Sequence, residues 1–140
     1  MGLNAIVYKN ARTFASNFYT DEFEIDQKTG ECVPAIEIEP RLPADFFIAF
    51  KSRLGNLSGI MLLREEIKKA LVTDDSIVMG RVLYSAFHSG DMIAIDELPR
   101  LKAEIAALKA KSVAGLEEFV AVMESLILAA ETEKNPIVFV

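Results

Sequence analysis

The stretch Ser76–Asp96, SIVMGRVLYSAFHSGDMIAID, joins a strongly apolar run to a polar segment that holds the only histidine of the chain. The apolar run would be hydrophobic on both faces of an extended chain, which is typical of a central, buried strand. Gly80 weakens a helix interior by about 1 kcal/mol, although Val78 and Val82 would share one helical face. We therefore predict a strand at residues 76–84, with a helix as the open alternative.

The chain before this stretch predicts strands. A short run rich in β-branched residues at 3–9 is typical of a strand. Apolar and acidic side chains alternate at residues 22–26 and again at 36–39, in the second half of a returning strand at 32–39. This pattern predicts a hairpin with its apolar side chains facing the core. Gly30 can adopt the positive φ that a tight turn needs, and Pro34 places an edge or a bulge in the returning strand.

Most of the remaining chain predicts helices packed on that sheet. Apolar residues recur every three or four positions in four segments, and a last apolar run predicts a strand paired inside the sheet. The order of elements predicts one α+β domain over residues 1–140, with a mostly antiparallel sheet. The predicted helices lie near residues 44–54, 57–72, 97–111 and 113–131, and the last strand lies at 136–140.

Length and composition set the class of protein. A chain of 140 residues with a mean hydropathy of +0.26 has enough apolar residues for a well-filled core, or for an additional apolar face that binds a partner. The single cysteine, Cys32, excludes an internal disulfide and a zinc site built from several thiolates. The sequence contains neither a membrane-spanning run nor a signal peptide, so we expect a cytoplasmic protein.

The net charge of −6 is concentrated in one region. Residues 21–39 carry seven acids and one base, whereas the rest of the chain is nearly neutral. This distribution argues against nucleic-acid binding, which depends on neutralising phosphates, and favours a basic protein partner. Protection of the hairpin against edge-to-edge aggregation is the alternative explanation. The acids that we expect to contact a partner are Glu22, Glu24, Glu37 and Glu39.

The polar segment around the histidine is the second candidate site. His88 and Asp91 are within three residues of each other, and we predict that they belong to a structural or partner-binding loop. The alternative is a pocket formed by Tyr84, His88 and Asp91, which would make the protein a small enzyme or a ligand-binding domain. One histidine with scattered carboxylates does not form a zinc signature, and a Gly-x-Ser-x-Gly elbow is missing. We therefore predict no catalytic residue, no metal and no cofactor.

The layout of the segment 84–91, the helix behind it and the closing segments 126–130 and 136–140 resembles small bacterial immunity proteins of polymorphic-toxin systems. It also resembles uncharacterised bacterial proteins of similar size. The resemblance to immunity proteins covers mainly residues 54–140, and it implies inhibition of a basic toxin by an acidic surface, without catalysis. The leading hypothesis is therefore a non-catalytic binding protein. A third hypothesis is a self-associating structural protein, a homo-oligomer held by the apolar excess and by edge strands.

Overall fold

A computed structural model describes residues 2–11, 23–34, 45–71 and 75–140. Its elements confirm an α+β fold in which helices pack on an antiparallel sheet. A π-helical turn, Val78–Val82, follows the first α-helix of the described residues. A short 3-10 turn, Ile95–Glu97, directly precedes the second. The strands are β1 Leu3–Tyr8, β2 Phe23–Ile25, β3 Cys32–Pro34, β4 Ile48–Gly55, β5 Met92–Ile93 and β6 Ile137–Phe139, and the helices are α1 Leu57–Ala70, α2 Leu98–Ala110 and α3 Glu117–Glu133.

The main sheet has four strands in the order β4-β1-β6-β5, and every neighbouring pair is antiparallel. The last strand, β6, therefore lies inside the sheet, between β1 and β5. Ala5 pairs with Phe139, and Ile6 pairs with Val138. The prediction that the apolar end of the chain is paired within a sheet is confirmed. β2 and β3 form a separate two-stranded hairpin.

The two faces of the sheet bury different clusters because side chains alternate along a strand. Ala5 and Phe139 belong to the large cluster under the helices. Ile6, Tyr8 and Val138 form a smaller cluster on the opposite face. β1 is thus apolar on both faces, as expected for a strand inside a sheet.

The three α-helices confirm three of the four predicted helical segments. α1 begins after Asn56, whose Oδ1 atom accepts a hydrogen bond of 2.8 Å from the Gly59 amide, as an N-cap side chain does. α2 and α3 pack against each other, and α3 contacts β1, β4 and β6. The last helix was predicted from residue 113, but α3 begins at Glu117, and Ser112 lies in the turn before it.

The fourth predicted helix, at residues 44–54, is wrong, because Ile48–Gly55 is the strand β4. Lys51 and Arg53 are exposed, while Phe50 and Leu54 pack against the main core. This alternation has the two-residue period of a strand, and the pairing of β4 along the whole of β1 stabilises it. The sequence-based prediction of a helix rested on the helical spacing of Phe46, Phe47 and Phe50.

The predicted strand at residues 76–84 is also wrong, because this run forms the π-helical turn. Val78 and Val82 are both 0% exposed, whereas Gly80 and Arg81 between them are exposed. The turn therefore buries the side that carries the two valines, and the apolar run alone did not distinguish this turn from a buried strand. The carboxylate of Glu104 on α2 fixes the start of the turn, accepting from the amides of Ile77 at 2.9 Å and Val78 at 3.2 Å. A distant side chain therefore determines the local structure.

The hairpin is confirmed for its described part. Gly30 has a φ of +79°, as its position in the turn predicted. β3 ends at Pro34, and the rest of the predicted strand 32–39 lies outside the described residues. Of the acids expected to contact a partner, Glu24 is exposed on β2. The other three lie outside the described residues: Glu22, Glu37 and Glu39.

Candidate functional site

The histidine is buried in the loop that connects the π-helical turn to β5, residues 83–91, called here the His88 loop. The His88 side chain is only 2% exposed. Its Nε2 atom lies 2.8 Å from the carbonyl oxygen of Val82. A carbonyl only accepts, so Nε2 carries a hydrogen and donates it. The ring also packs against the Phe139 ring, with 4.6 Å between the centroids.

Tyr84 and Asp91 close over the other side of the imidazole. The Tyr84 ring stacks on the His88 ring, with centroids 4.5 Å apart and an interplanar angle of 29°. The Tyr84 hydroxyl donates a hydrogen bond to Oδ2 of Asp91. The same carboxylate oxygen lies 3.6 Å from Nδ1 of His88. The three residues that the sequence placed in a candidate pocket are therefore in mutual contact.

This arrangement withholds both imidazole nitrogens from solvent. Nε2 of His88 is bonded to the main chain, and Nδ1 is buried without a hydrogen-bond partner among the described residues. A general base has to come within hydrogen-bond distance of its substrate. Three surface grooves among the described residues, about 710, 480 and 700 Å³ in volume, are lined by other residues. The geometry thus gives His88 a positioning role in the loop.

Main-chain hydrogen bonds tie the end of the His88 loop to the sheet. The Gly90 amide donates to the Phe139 carbonyl at 2.8 Å, and the Phe139 amide donates to the Asp91 carbonyl at 2.9 Å. Gly90 has a φ of +95°, which favours glycine. The Asp91 side chain accepts from the Tyr84 hydroxyl, which adds a side-chain bond to these main-chain bonds. The loop is therefore fixed by β6 and by its own side chains.

Two aromatic side chains of the loop face solvent. Tyr84 is 45% exposed and Phe87 is 59% exposed. Ser85 Oγ accepts a hydrogen bond of 3.0 Å from the Phe87 amide, which orders the backbone between them. Sequence reasoning missed Phe87 as a candidate contact residue. An aromatic residue inside a short polar segment was the available signal.

The neighbouring Asp91 carboxylate favours the protonated form of the Tyr84 phenol. The hydrogen bond to Asp91 is the largest cause that raises the pKa of the Tyr84 phenol, followed by desolvation and by the charge of Asp91. The nearby Arg81 guanidinium has the opposite effect on this pKa. The phenol therefore stays protonated at neutral pH and holds the Asp91 carboxylate in place.

An ion pair beside the loop covers the outer edge of β5. Arg81 donates to the Met92 carbonyl at 2.8 Å, and Glu97 accepts from the Ala94 amide at 3.1 Å. The two side chains bind each other, with 2.6 Å between Nη1 and Oε2. The ion pair therefore occupies the Met92 carbonyl and the Ala94 amide, which helps to protect a short edge strand from pairing with another chain.

A groove of about 710 Å³ separates the hairpin turn from the segment after β5. Ile25 and Asp26 line one side, and Ile95 and Asp96 line the other. Hydrogen bonds from the amides of residues 28 and 29 are the largest causes that lower the pKa of Asp26, so this carboxylate stays ionised in the turn. The groove brings the acidic hairpin and the segment that follows the His88 loop onto one side of the molecule.

The remaining candidates for chemistry are few. Within the described residues, no group of three or more histidine, cysteine or acidic side chains could hold a metal ion. Cys32 is buried, and desolvation raises the pKa of its thiol, which disfavours the reactive thiolate. No helix in the described ranges combines the length and the apolar character needed to cross a bilayer. Comparisons with models of protein families, with curated proteins and with solved structures found no match to the chain.

Proposed function

We propose that this chain is a non-catalytic, cytoplasmic binding protein that contacts a protein partner through the His88 loop. The observation that carries the proposal is the pair of exposed aromatic side chains, Tyr84 and Phe87, on a loop fixed by buried contacts. Aromatic residues dominate the binding energy of many protein interfaces because each one buries a large apolar area. The burial of both His88 nitrogens supports a binding role without a chemical step.

The rigidity of the loop lowers the entropic cost of binding. The stacked His88 ring and the hydrogen bond to Asp91 already fix the Tyr84 side chain before any partner arrives. Ordering a mobile side chain at an interface costs about 0.5–1.5 kcal/mol. A preformed Tyr84 avoids most of that cost, so more of the contact energy contributes to affinity.

The charge of the surrounding surface favours a basic partner. The Asp91 side chain is 51% exposed beside the aromatic pair, and Asp96 is exposed beyond β5. Glu24 and Asp26 add exposed acids on the hairpin, and Asp26 lines the groove of about 710 Å³. Complementary charge mainly accelerates association and selects the partner. In an immunity-type role, this face would cover a basic toxin and inhibit it.

Site-specific photo-crosslinking in the native host tests the proposal directly. The variant Phe87→benzoylphenylalanine places the reactive group on the proposed surface, and Lys69→benzoylphenylalanine places it on the exposed side of α1 as a matched control. We expect an adduct with one basic protein from position 87 and no such adduct from position 69. Equal adducts from both positions, or none from position 87, would refute the His88 loop as a binding surface.

Affinity for the captured protein then tests the role of each feature. Phe87→Ala should weaken binding by about 2 kcal/mol, which is roughly thirtyfold, because an interface anchor is lost. Glu24→Lys should slow association at low salt and have little effect at high salt, because exposed charges are screened. Unchanged affinity of Phe87→Ala would contradict the proposal, and so would chemical modification of the partner by this chain.

A further inference from the structure

The outer surface of the α2 and α3 pair has a regular pattern that the proposed function does not use. On its outer face, each helix presents two like charges seven residues apart, with an exposed uncharged residue four positions after the first charge. Seven residues are about two turns of helix, so both charges of a row point the same way. The basic row is Lys102, Ala106 and Lys109 on α2, and the acidic row is Glu124, Leu128 and Glu131 on α3.

Ion pairs within the chain align the two rows. The Lys102 ammonium lies 3.1 Å from the Glu131 carboxylate, and the Lys109 ammonium lies 3.2 Å from the Glu124 carboxylate. The helices run antiparallel, so the first basic position is level with the last acidic one. The central residues of the two rows therefore lie at about the same height, between the two ion pairs.

An apolar strip runs between these ion pairs. Leu128 is 66% exposed, whereas Ile105 and Ile127 below it are 1% and 3% exposed. These residues and Ala106 line a groove of about 480 Å³. A large leucine projects from α3 beside the small side chain of Ala106 on α2. The surface thus offers one apolar projection and one shallow recess, flanked by opposite charges.

Two copies can place these surfaces face to face about a two-fold axis that runs either parallel to the helices or across them. Only the parallel axis brings opposite charges together. A two-fold axis parallel to the helices places α2 of one copy over α3 of the other and preserves height along the helices. Each lysine then faces a glutamate of the second copy, and Leu128 faces Ala106. A two-fold axis across the helices would place α2 over α2, with lysine facing lysine and glutamate facing glutamate.

We propose that the outer surface of α2 and α3 binds a second copy of this chain, forming a symmetric dimer with a four-helix interface. The charge order favours a second copy as the occupant, because each copy carries an acidic row beside a basic row at the same spacing. All neighbouring helices in this dimer are antiparallel, as in a common class of four-helix bundle. The proposal does not depend on the His88 loop or on its partner.

Charge reversal separates contacts between copies from contacts within one copy. The variant Lys102→Glu/Lys109→Glu has two acidic rows, and the variant Glu124→Lys/Glu131→Lys has two basic rows. We expect sedimentation to show a wild-type dimer, and each variant alone to dimerise at least about tenfold more weakly. An equimolar mixture of the two variants should form a heterodimer, because each acidic row again faces a basic row across the interface.

The mixture is decisive because mixing cannot repair an ion pair that lies within one chain. Circular dichroism of each variant shows whether its helices remain folded. Lys68→Glu/Lys69→Glu on α1 is the matched control, and it should dimerise like the wild type. Leu128→Asp should abolish the dimer. A monomeric wild type at high concentration would overturn the proposal, and so would variants that weaken association alone but do not form a heterodimer when mixed.

Discussion

His88 links three parts of the chain through one ring. Its Nε2 atom binds the Val82 carbonyl of the π-helical turn, one ring face stacks on Tyr84, and its edge contacts Phe139 of β6. The Tyr84 hydroxyl then orients the Asp91 carboxylate at the end of the loop. Removing any one of these contacts should therefore be detected at the others.

The titration of Tyr84 tests this coupling. Asp91→Asn removes the carboxylate charge, so we expect the pKa of Tyr84 to fall toward its ordinary value near 10. Phenolate absorbance across alkaline pH measures this change. Subtracting the titration of Tyr84→Phe, made in both the wild-type and the Asp91→Asn backgrounds, isolates the signal of Tyr84. An identical Tyr84 titration in both backgrounds would show that Asp91 does not hold this phenol.

The same raised pKa affects stability at alkaline pH. The folded state holds the Tyr84 proton more tightly than the unfolded state, so this group stabilises the fold below the unfolded pKa. That contribution is lost as the pH rises above about 10 and through the folded pKa. The wild type should therefore lose more stability in this range than Tyr84→Phe, as measured by urea unfolding.

At the scale of elements, the two misassigned segments share one physical cause. β4 and the π-helical turn each owe their structure to a partner far along the chain: β1 for the strand, and Glu104 for the turn. Local spacing of apolar residues carries no information about such partners. α2 and α3 were predicted within a few residues because their apolar positions repeat through several turns.

Gly80, inside the π-helical turn, and Gly90, near the end of the His88 loop, provide a matched test of backbone conformation. A Cβ atom at Gly80 or Gly90 would meet nothing within 4 Å, but only Gly90 has a positive φ, of +95°. Gly80→Ala, in the helical turn, should stabilise the protein by about 0.5–1 kcal/mol. Gly90→Ala should destabilise it by about 1–3 kcal/mol. Denaturant unfolding gives both values, and effects of the same sign would contradict this account.

The whole molecule is organised around β6. This strand pairs with β1 and β5, buries Phe139 under the helices and Val138 on the opposite face, and anchors the His88 loop. The sequence predicted the members of the candidate site, Tyr84, His88 and Asp91, because they are close along the chain. It could not predict their closure over the imidazole, since that geometry depends on a strand more than forty residues later.

Truncating the Phe139 side chain of β6 tests this organisation. Phe139 is 0% exposed, so Phe139→Ala should cost about 3–5 kcal/mol of unfolding free energy. That is a large fraction of the roughly 5–15 kcal/mol that stabilises a typical domain. Val140→Ala is the control, because its side chain is 38% exposed, and it should change stability by about 0.5 kcal/mol or less. Similar losses for the two variants would argue against a central role for Phe139.

The position of β6 has a consequence for synthesis on the ribosome. β1 leaves the ribosome early and can pair with β4 soon afterwards, but its other edge stays open until residues 137–139 have been translated. During that interval the nascent chain presents an apolar strand edge, which is a template for unwanted pairing with other chains. Nascent chains that stop shortly before residue 137 should therefore aggregate readily and bind chaperones, whereas chains that contain β6 can close the sheet.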